Sequence, residues 1–258
     1  MAIKINNIHK VYNNGFKALT NLSLEIERGK FTAILGSSGA GKSTLLRAIN
    51  GLETITSGSI TVSGVTVCKK NLRTVRSDAA MVFQNYNLVN RLSVMANVLT
   101  GRLSKRNPLL SLLHLFPKED YAIADDALSC VGMETSPWSR ADKLSGGQQQ
   151  RVGIARALAQ NPSIILADEP VASLDPVSST EVLTLLKNIA RDRNITVVTS
   201  LHQVDFAKEY ADRIIGMNAG QIVFDGAPTE LTENVLERIY QKSPVKEIPD
   251  VQMEVSYA

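Results

Sequence analysis

Cysteine is scarce in this sequence, and its scarcity excludes two kinds of architecture. The only cysteines, Cys68 and Cys130, lie in unrelated contexts and lack the spacing of metal ligands. This pattern fits neither a disulfide framework nor a cysteine-based metal centre. We therefore expect both thiols to be packing residues of a protein that works in a reducing cytosol.

A strong excess of charge and a long apolar run are also missing. The net charge is +3 with both signs interspersed, so the composition predicts no nucleic-acid partner. No apolar run approaches the roughly 20 residues that span a bilayer, and the first residues lack the apolar core of a signal peptide. We expect any membrane role to be played through another chain.

The sequence does contain enough apolar material for a substantial core. Of its 258 residues, 44% are hydrophobic and 21% are charged, as in ordinary soluble proteins. This length is the upper limit of one domain, or it corresponds to one domain with a subdomain.

A glycine-rich stretch follows the apolar run of residues 31–35 and opens a helical pattern. It fits G-x-x-x-x-G-K-[ST] and consists of Gly36, Ser37, Ser38, Gly39, Ala40, Gly41, Lys42, Ser43 and Thr44. Glycines let successive N–H groups turn inward, and the following helix adds its free N-terminal donors, so the stretch suits phosphate. We expect Lys42 to reach the β- and γ-phosphates of a nucleotide and Ser43 to ligate Mg²⁺. The alternative is a Gly/Ser-rich turn with a solvated lysine.

Two acids, Asp168 and Glu169, close the apolar run of residues 164–167. In an open parallel sheet the ligand crevice lies at the carboxyl ends of the strands. Asp168 is therefore placed to hold Mg²⁺ through water, and Glu169 to polarise an attacking water. The alternative is a pair of solvated, inert acids, and a phosphate loop at the same sheet edge weakens it.

A second candidate anion site begins at Leu144, where a serine and two glycines open another helical pattern. Its residues are Ser145, Gly146, Gly147 and Gln148, and a helix N-terminus of this kind favours anions. One nucleotide does not need two such sites from one molecule. We therefore hypothesise that two copies lie head to tail and form two composite sites, each closed by ATP.

Apolar periodicity and turn residues predict the other elements. Residues 2–30 and 57–67 are predicted as antiparallel hairpins, with turns at 13–15 and 63–64. Buried strands are predicted over 81–84, 164–167 and 195–201, and a strand pair over 214–224. Between them Asp175 and Pro176 begin a helix, and Gly51 ends an earlier one.

Helical patterns replace strand patterns from about residue 85 to 160, which predicts an inserted helical subdomain. An apolar stretch within it, residues 109–116, is too short to span a membrane and is predicted to pack there. Residues 244–258, with two prolines and mixed charge, are predicted to form a loose tail.

Six segments together resemble the motif set of ABC transporter ATPase subunits, in order and over nearly the whole chain. They are the phosphate loop, Gln84, residues 144–148, residues 164–169, residues 172–175 and His202. The resemblance implies a P-loop NTPase of the ABC ATPase type, an α/β fold whose mostly parallel core sheet is flanked by helices. An N-terminal antiparallel β subdomain and an inserted α-helical subdomain complete the ATPase domain, residues 1–243.

The resemblance also implies a role for each motif residue. Tyr12 stacks on adenine, although by sequence alone an aromatic on a sheet face is the favoured interpretation. Gln84 ligates Mg²⁺ together with Ser43 and Asp168, and it senses both the γ-phosphate and a permease. By itself it would be interpreted as a surface amide.

The remaining roles concern hydrolysis and the second subunit. Glu169 is the catalytic carboxylate, and His202 holds the γ-phosphate, the attacking water and Glu169 in line. By itself His202 would be interpreted as a core histidine. Residues 145–148 bind the ATP of the opposite subunit, and Asp175 couples the two subunits.

One phosphate loop and one signature segment in a chain resemble the detached ATPase subunits of bacterial importers. Residues 83–103, 171–176 and 201–205 resemble those of phosphonate importers in particular. The implied partners are a second copy, integral membrane permease subunits at the cytoplasmic face of the inner membrane, and, through them, an extracytoplasmic substrate-binding protein. Phosphite and hypophosphite remain alternative cargoes.

Two further hypotheses stay open from the sequence. A related importer ATPase for polar amino acids or phosphate would share every catalytic residue, and a soluble ABC protein of translation or DNA repair is a third class. Two positions also depart from the family pattern: Gly153 replaces a usual alanine, and Ser200 replaces a larger aliphatic residue. We expect neither of them to touch a catalytic group.

Overall fold

The computed structural model describes residues 1–106 and 116–241. Its strands are β1 (Ile3–Val11), β2 (Lys17–Ile26), β3 (Phe31–Leu35), β4 (Ser57–Val62), β5 (Val65–Thr66), β6 (Ala79–Val82), β7 (Ile164–Asp168), β8 (Thr196–Leu201), β9 (Arg213–Asn218) and β10 (Gln221–Gly226). The expectations for residues 109–115 and for the tail 244–258 lie outside the described residues.

Helices occupy most of the remaining described chain. They are α1 (Lys42–Asn50), α2 (Leu72–Asp78), α3 (Val94–Leu99), α4 (Lys118–Cys130), α5 (Gly146–Leu158), α6 (Pro176–Arg193), α7 (Val204–Tyr210) and α8 (Glu233–Tyr240). Short 3₁₀ segments cover Thr100–Lys105, Ala141–Lys143 and Pro228–Glu230. Among the residues described, none of the helices combines the length and apolar character that crossing a bilayer requires.

The first sheet is antiparallel and has the order β2-β1-β4-β5. Both predicted hairpins are confirmed, and the structure adds that they share one sheet, because β1 pairs with β4 as well as with β2. The turn between β4 and β5 has φ of 47° at Ser63 and 83° at Gly64. Two successive positive φ values characterise a type I′ turn, whose twist matches that of the strands it joins.

The second sheet has the order β10-β9-β3-β8-β7-β6. Every neighbouring pair in it is parallel except β9 and β10. The predicted mostly parallel core sheet is therefore confirmed. Its strands β3, β7 and β8 are buried along their whole length, as expected for strands of a parallel sheet covered on both faces.

Two apolar clusters cover the two faces of this sheet. Along β3, Ala33 and Leu35 pack into one cluster together with α4, α5 and α6, while Ile34 packs into the other with α1 and the antiparallel sheet. Alternate residues of a strand point to opposite faces. The central strands are therefore held between two layers, which leaves the ends of these strands for a ligand.

Between β6 and β7 the regular elements of the described residues are helices joined by loops, apart from one bridge between Ser93 and Arg140. This agrees with the expected helical character of that region, whose domain boundaries stay a prediction. A buried cluster of charged side chains stabilises this helical region. Asp120 of α4 is fully buried, and it accepts hydrogen bonds from Arg102 Nε at 2.8 Å and from Arg106 Nε at 2.6 Å.

These ion pairs set the protonation state of Asp120. Burial by itself would raise the pKa of its carboxyl, but the hydrogen bonds and charges of Arg106 and Arg102 outweigh burial and lower that pKa from its ordinary value of 3.8. The carboxylate therefore stabilises the fold fully above the unfolded-state pKa. That stabilisation is lost as the pH falls through the lower, folded-state pKa.

We predict that Asp120→Asn lowers the free energy of unfolding by about 3 kcal/mol at pH 7, because it leaves a buried arginine charge without its partner. The difference from the unsubstituted chain should shrink as the pH falls below about 4. Urea unfolding between pH 7 and pH 3 measures both effects. Asp126→Asn on the same helix is the control. Its pair with Arg193 is exposed, so a cost above about 1 kcal/mol there, or none at Asp120, would contradict the prediction.

Candidate active site

The phosphate loop is preformed around its own lysine. Lys42 begins α1 and is only 4% exposed, and its ammonium donates to the carbonyl oxygens of Gly36 at 2.8 Å and Ser37 at 3.2 Å. Burial lowers the pKa of Lys42, and the nearby carboxylates of Glu169 and Asp168 oppose that shift. Gly41, just before the helix, has φ of 101°, a conformation that favours glycine.

Asp168 closes β7 and is the most heavily hydrogen-bonded side chain of the site. Its Oδ1 accepts from Ser43 Oγ at 2.7 Å and from Ser200 Oγ at 3.1 Å, and its Oδ2 accepts from Arg47 Nη2 at 3.3 Å. The carboxylate is 3% exposed. Two of the expected metal ligands, Ser43 and Asp168, thus lie in direct contact, and a hydroxyl with a carboxylate is a donor set that suits Mg²⁺.

Glu169 and His202 form the second pair at this edge. Glu169 Oε1 and His202 Nε2 lie 2.7 Å apart. His202 is 41% exposed in its side chain, so it is not a histidine of the core. Glu169 has φ of 49° and donates its backbone N–H to Ser200 Oγ at 2.9 Å. The two residues that the resemblance assigns to hydrolysis are therefore adjacent.

The contacts of Ser200 correct an expectation. This residue was expected to touch no catalytic group, yet its hydroxyl contacts both acids. The reason is strand register, since β7 and β8 are parallel and Ser200 pairs directly with Asp168. The expectation for Gly153 was sound: a methyl group there would meet only the Tyr86 carbonyl oxygen, at an ordinary 3.7 Å.

Gln84 follows β6, the strand that pairs with β7. The strand β6 ends at Val82, two residues earlier than the predicted strand, and Val82 pairs with Ala167. Gln84 is therefore an exposed residue of the following loop. Within the described residues it makes no hydrogen bond to Ser43 or Asp168, so its metal-ligand role stays a prediction.

Tyr12 lies beside the first turn of α1. Its hydroxyl is 3.3 Å from Thr44 Oγ1, and its ring stacks on Phe16 with centroids 6.4 Å apart. The ammonium of Lys10 lies 4.7 Å from the ring centroid. A half-buried ring fixed next to a phosphate loop suits stacking on a base.

The signature segment, residues 144–148, is a helix start on the surface. Ser145 Oγ accepts from the Gln148 N–H at 3.3 Å, and Gln148 Oε1 accepts from the Ser145 N–H at 3.0 Å, a reciprocal capping box. The predicted serine N-cap is confirmed. A Cβ on Gly146 would lie 2.9 Å from the Tyr86 hydroxyl, and one on Gly147 would lie 3.0 Å from Ser178 Oγ. Both glycines therefore lie in close contact with neighbouring side chains.

Asp175 is the N-cap of α6, as predicted, with Pro176 at the first helical position. Its carboxylate accepts from the Ser178 N–H at 3.0 Å, and the hydrogen bonds from Ser178 lower the pKa of Asp175. The residue is exposed, which leaves it accessible to a second subunit. Its coupling role stays a prediction.

Sequence reasoning did not identify two arginines of the site. Arg47 follows Ser43 by one helical turn, so its place on the same face of α1 was available from the spacing. Arg156 of α5 donates to the carbonyl oxygens of Tyr86 at 2.8 Å and Asn87 at 2.5 Å. These two loop residues have φ of 57° and 50°. Nothing in the sequence indicates that contact, because it joins a helix to irregular backbone.

A phosphate loop joined to an acid pair at the carboxyl edge of a parallel sheet defines a nucleotide hydrolase of the P-loop class. Comparisons with known proteins agree with this class. The family model described as ABC transporter matches residues 19–172. Solved structures give the same result: the chain resembles cbiO1 of Clostridium perfringens, part of an ABC transporter complex, with a TM-score of 0.80, 30% identity and coverage of 92% of this chain and 93% of that one.

Other relatives are similar over most of their length. An ATP-binding cassette solved as a dimer with ADP and Pi has a TM-score of 0.75 and 33% identity, covering 88% of this chain and 98% of the other. The protein named Phosphonates import ATP-binding protein PhnC of Thiobacillus denitrificans is 58% identical over 257 residues, which is 100% of this chain and 99% of the relative. A protein of that name from Trichodesmium erythraeum is 56% identical over 242 residues, 93% of each chain. This chain belongs to the ABC transporter family of ATP-binding proteins, and it is an ATPase.

We predict that Tyr12→Leu weakens ATP binding by about tenfold, because a stacked base loses about 1–3 kcal/mol without its aromatic partner. Tyr12→Phe keeps the ring and should bind ATP within about threefold of the unsubstituted chain, since a single hydroxyl contact of 3.3 Å is worth about 1 kcal/mol. Calorimetric titration measures both. Inorganic tripolyphosphate, which has no base, is the control ligand, and an equal loss of affinity for it would contradict stacking.

Proposed function

We propose that this chain is the ATP-hydrolysing subunit of an importer for phosphonates or for related phosphorus oxyanions such as phosphite. The pairing of Ser43 with Asp168, beside Glu169 with His202, supports the hydrolytic part. The cargo rests on the relatives named for phosphonate import, which are 50% or more identical over most of the chain.

In the proposed reaction the phosphate loop binds the triphosphate of ATP. The loop N–H groups and Lys42 neutralise phosphate charge, and Ser43 and Asp168, with Gln84, would hold Mg²⁺. The ion would add positive charge at the phosphates. Glu169 orients the attacking water and accepts its proton, and His202 keeps the Glu169 carboxylate in place. Positioning and charge neutralisation are what phosphoryl transfer requires.

The proposed functional unit contains two copies of the chain. The signature segment is exposed in a single copy, and its helix N-terminus offers donors for an anion. The similar cassette solved as a dimer with ADP and Pi supports this arrangement. ATP bound by one copy would be closed by residues 145–148 of the other, with Asp175 in the joint between them.

The proposed membrane partners are two permease subunits fed by an extracytoplasmic substrate-binding protein, with this chain at the cytoplasmic face. An exposed apolar surface around the start of α3 suits a permease. Val89 and Trp138 are 52% and 70% exposed. Hydrogen bonds connect the segments that carry these two residues to α3. The Asn97 side chain bonds the backbone of Val89, and the Met95 N–H donates to the carbonyl oxygen of Pro137, which precedes Trp138. A contiguous exposed apolar patch marks an interaction site, and we propose that these two side chains belong to one.

We predict that Glu169→Gln keeps ATP binding but reduces hydrolysis by about a hundredfold or more, because the side chain retains its shape and loses the proton acceptor. The dimer closed by ATP should then persist. Gel filtration with and without ATP, together with phosphate release, measures both effects. The exposed Glu119 gives the control Glu119→Gln. A Glu169→Gln variant that stays monomeric with ATP, or hydrolyses it normally, would remove the assignment.

We predict that deletion of the coding sequence abolishes growth on methylphosphonate or phosphite as the only phosphorus source and leaves growth on inorganic phosphate unchanged. Complementation with the unsubstituted gene should restore growth, and complementation with Glu169→Gln should not. Growth curves on each phosphorus source measure this. Unchanged growth in a strain without a second copy of the system would refute the cargo and leave the ATPase standing.

A further inference from the structure

Ser200 occupies a position between the two acids that no motif explains. It is the fifth residue of β8, it is fully buried, and its strand register pairs it with Ile34 on one side and Asp168 on the other. Paired residues of parallel strands point to the same face. The side chain of Ser200 therefore lies on the same face of the sheet as the side chain of Asp168.

The hydroxyl of Ser200 donates one hydrogen bond and accepts another. A hydroxyl has one proton, and that proton is donated to Asp168 Oδ1, where the oxygens are 3.1 Å apart. A lone pair of the same oxygen accepts the backbone N–H of Glu169 at 2.9 Å. A single buried atom thus joins the side chain of one acid to the backbone of the next.

We propose that Ser200 is a positioning residue that fixes the Asp168 carboxylate and the Glu169 backbone together. The inference rests on the proposed roles of these two acids in hydrolysis. It does not require Ser200 to touch the nucleotide or the attacking water.

The backbone at Glu169 needs such a partner. The strand β7 ends at Asp168, and φ at Glu169 turns to 49°, in the left-handed region that side chains other than glycine seldom adopt. The Glu169 N–H therefore leaves the strand ladder, and a buried N–H without an acceptor is costly. The bond to Ser200 satisfies this donor while the chain turns, and the turn points the Glu169 carboxylate at His202.

The carboxylate of Asp168 also depends on this hydroxyl. Its Oδ1 has two hydroxyl donors, Ser43 and Ser200. Ser43 is a proposed Mg²⁺ ligand, so its hydroxyl would also have to bind the ion when the nucleotide is present. Ser200 has no such competing role, so we expect its hydroxyl to keep holding the same oxygen when the phosphate loop is occupied.

Ser200→Thr and Ser200→Val form the matched pair that tests this role, because the two side chains have nearly the same shape and only one has a hydroxyl. We expect kcat for Mg²⁺-dependent ATP hydrolysis to be at least about tenfold lower in Ser200→Val than in Ser200→Thr, the effect typical of an outer partner of a metal site. The KM for ATP should differ by less than about threefold. The Mg²⁺ concentration for half-maximal rate should be higher in Ser200→Val.

Thr199→Val on the same strand is the control. Its buried hydroxyl contacts only the Ser200 carbonyl oxygen, at 3.5 Å, among the described residues, so kcat should stay within about twofold. Thermal unfolding of all variants separates lost activity from lost fold. Equal kcat in the Ser200→Thr and Ser200→Val variants, at any level, would overturn the role of the hydroxyl.

Hydrolysis by Glu169→Gln, measured in parallel, distinguishes a failure of the Ser200 proposal from a failure of the proposed function of the acids. If that variant loses hydrolysis and the Ser200 pair does not differ, the role of Ser200 is wrong and the acid assignment stands. If Glu169→Gln hydrolyses ATP normally, the proposed function of the acids fails first, whatever the Ser200 variants do.

Discussion

The carboxylate of Asp168 is the interaction on which the site depends. It is almost fully buried, and donors from two separate elements converge on it: Ser43 and Arg47 from α1 and Ser200 from β8. A buried charge is tolerated only with such partners. The same bonds fix the phosphate loop, at the start of α1, relative to the acids. The residues proposed for binding and for hydrolysis are thus positioned by shared hydrogen bonds rather than by two independent loops.

The fold explains why that contact exists. The strands β3, β7 and β8 are parallel neighbours, so they end at one edge of the sheet, and apolar layers close both of its faces. Polar groups that follow the strands are consequently driven together at the open edge. The phosphate loop follows β3, the acid pair lies at the end of β7, and His202 follows β8. These polar groups lie close together because the strand order places the ends of β3, β7 and β8 side by side.

Much of this was predictable from local sequence, and the exceptions share a cause. Helix caps at Ser145 and Asp175 and the turn at Ser63 depend on neighbouring residues, so their side chains and spacing sufficed. The role of Ser200 depended on the register between two strands, and the Asp120 cluster on the packing of a helix against distant arginines. Likewise, no local pattern indicated that β4 would pair with β1. Long-range contacts are set by packing, which spacing along the chain does not encode.

The bond from Arg156 to the loop after Gln84 has a mechanical consequence. Arg156 lies on the helix that the signature segment begins, and it grips two carbonyl oxygens of that loop, while the Tyr86 hydroxyl covers Gly146 at the other end of the helix. The loop and the helix are thus joined at two points, and we expect them to move together. In the proposed assembly, the loop faces the permease and the start of the helix faces the nucleotide of the second copy. By thermodynamic reciprocity, if ATP binding changes the affinity for the permease by some factor, permease binding changes the affinity for ATP by the same factor.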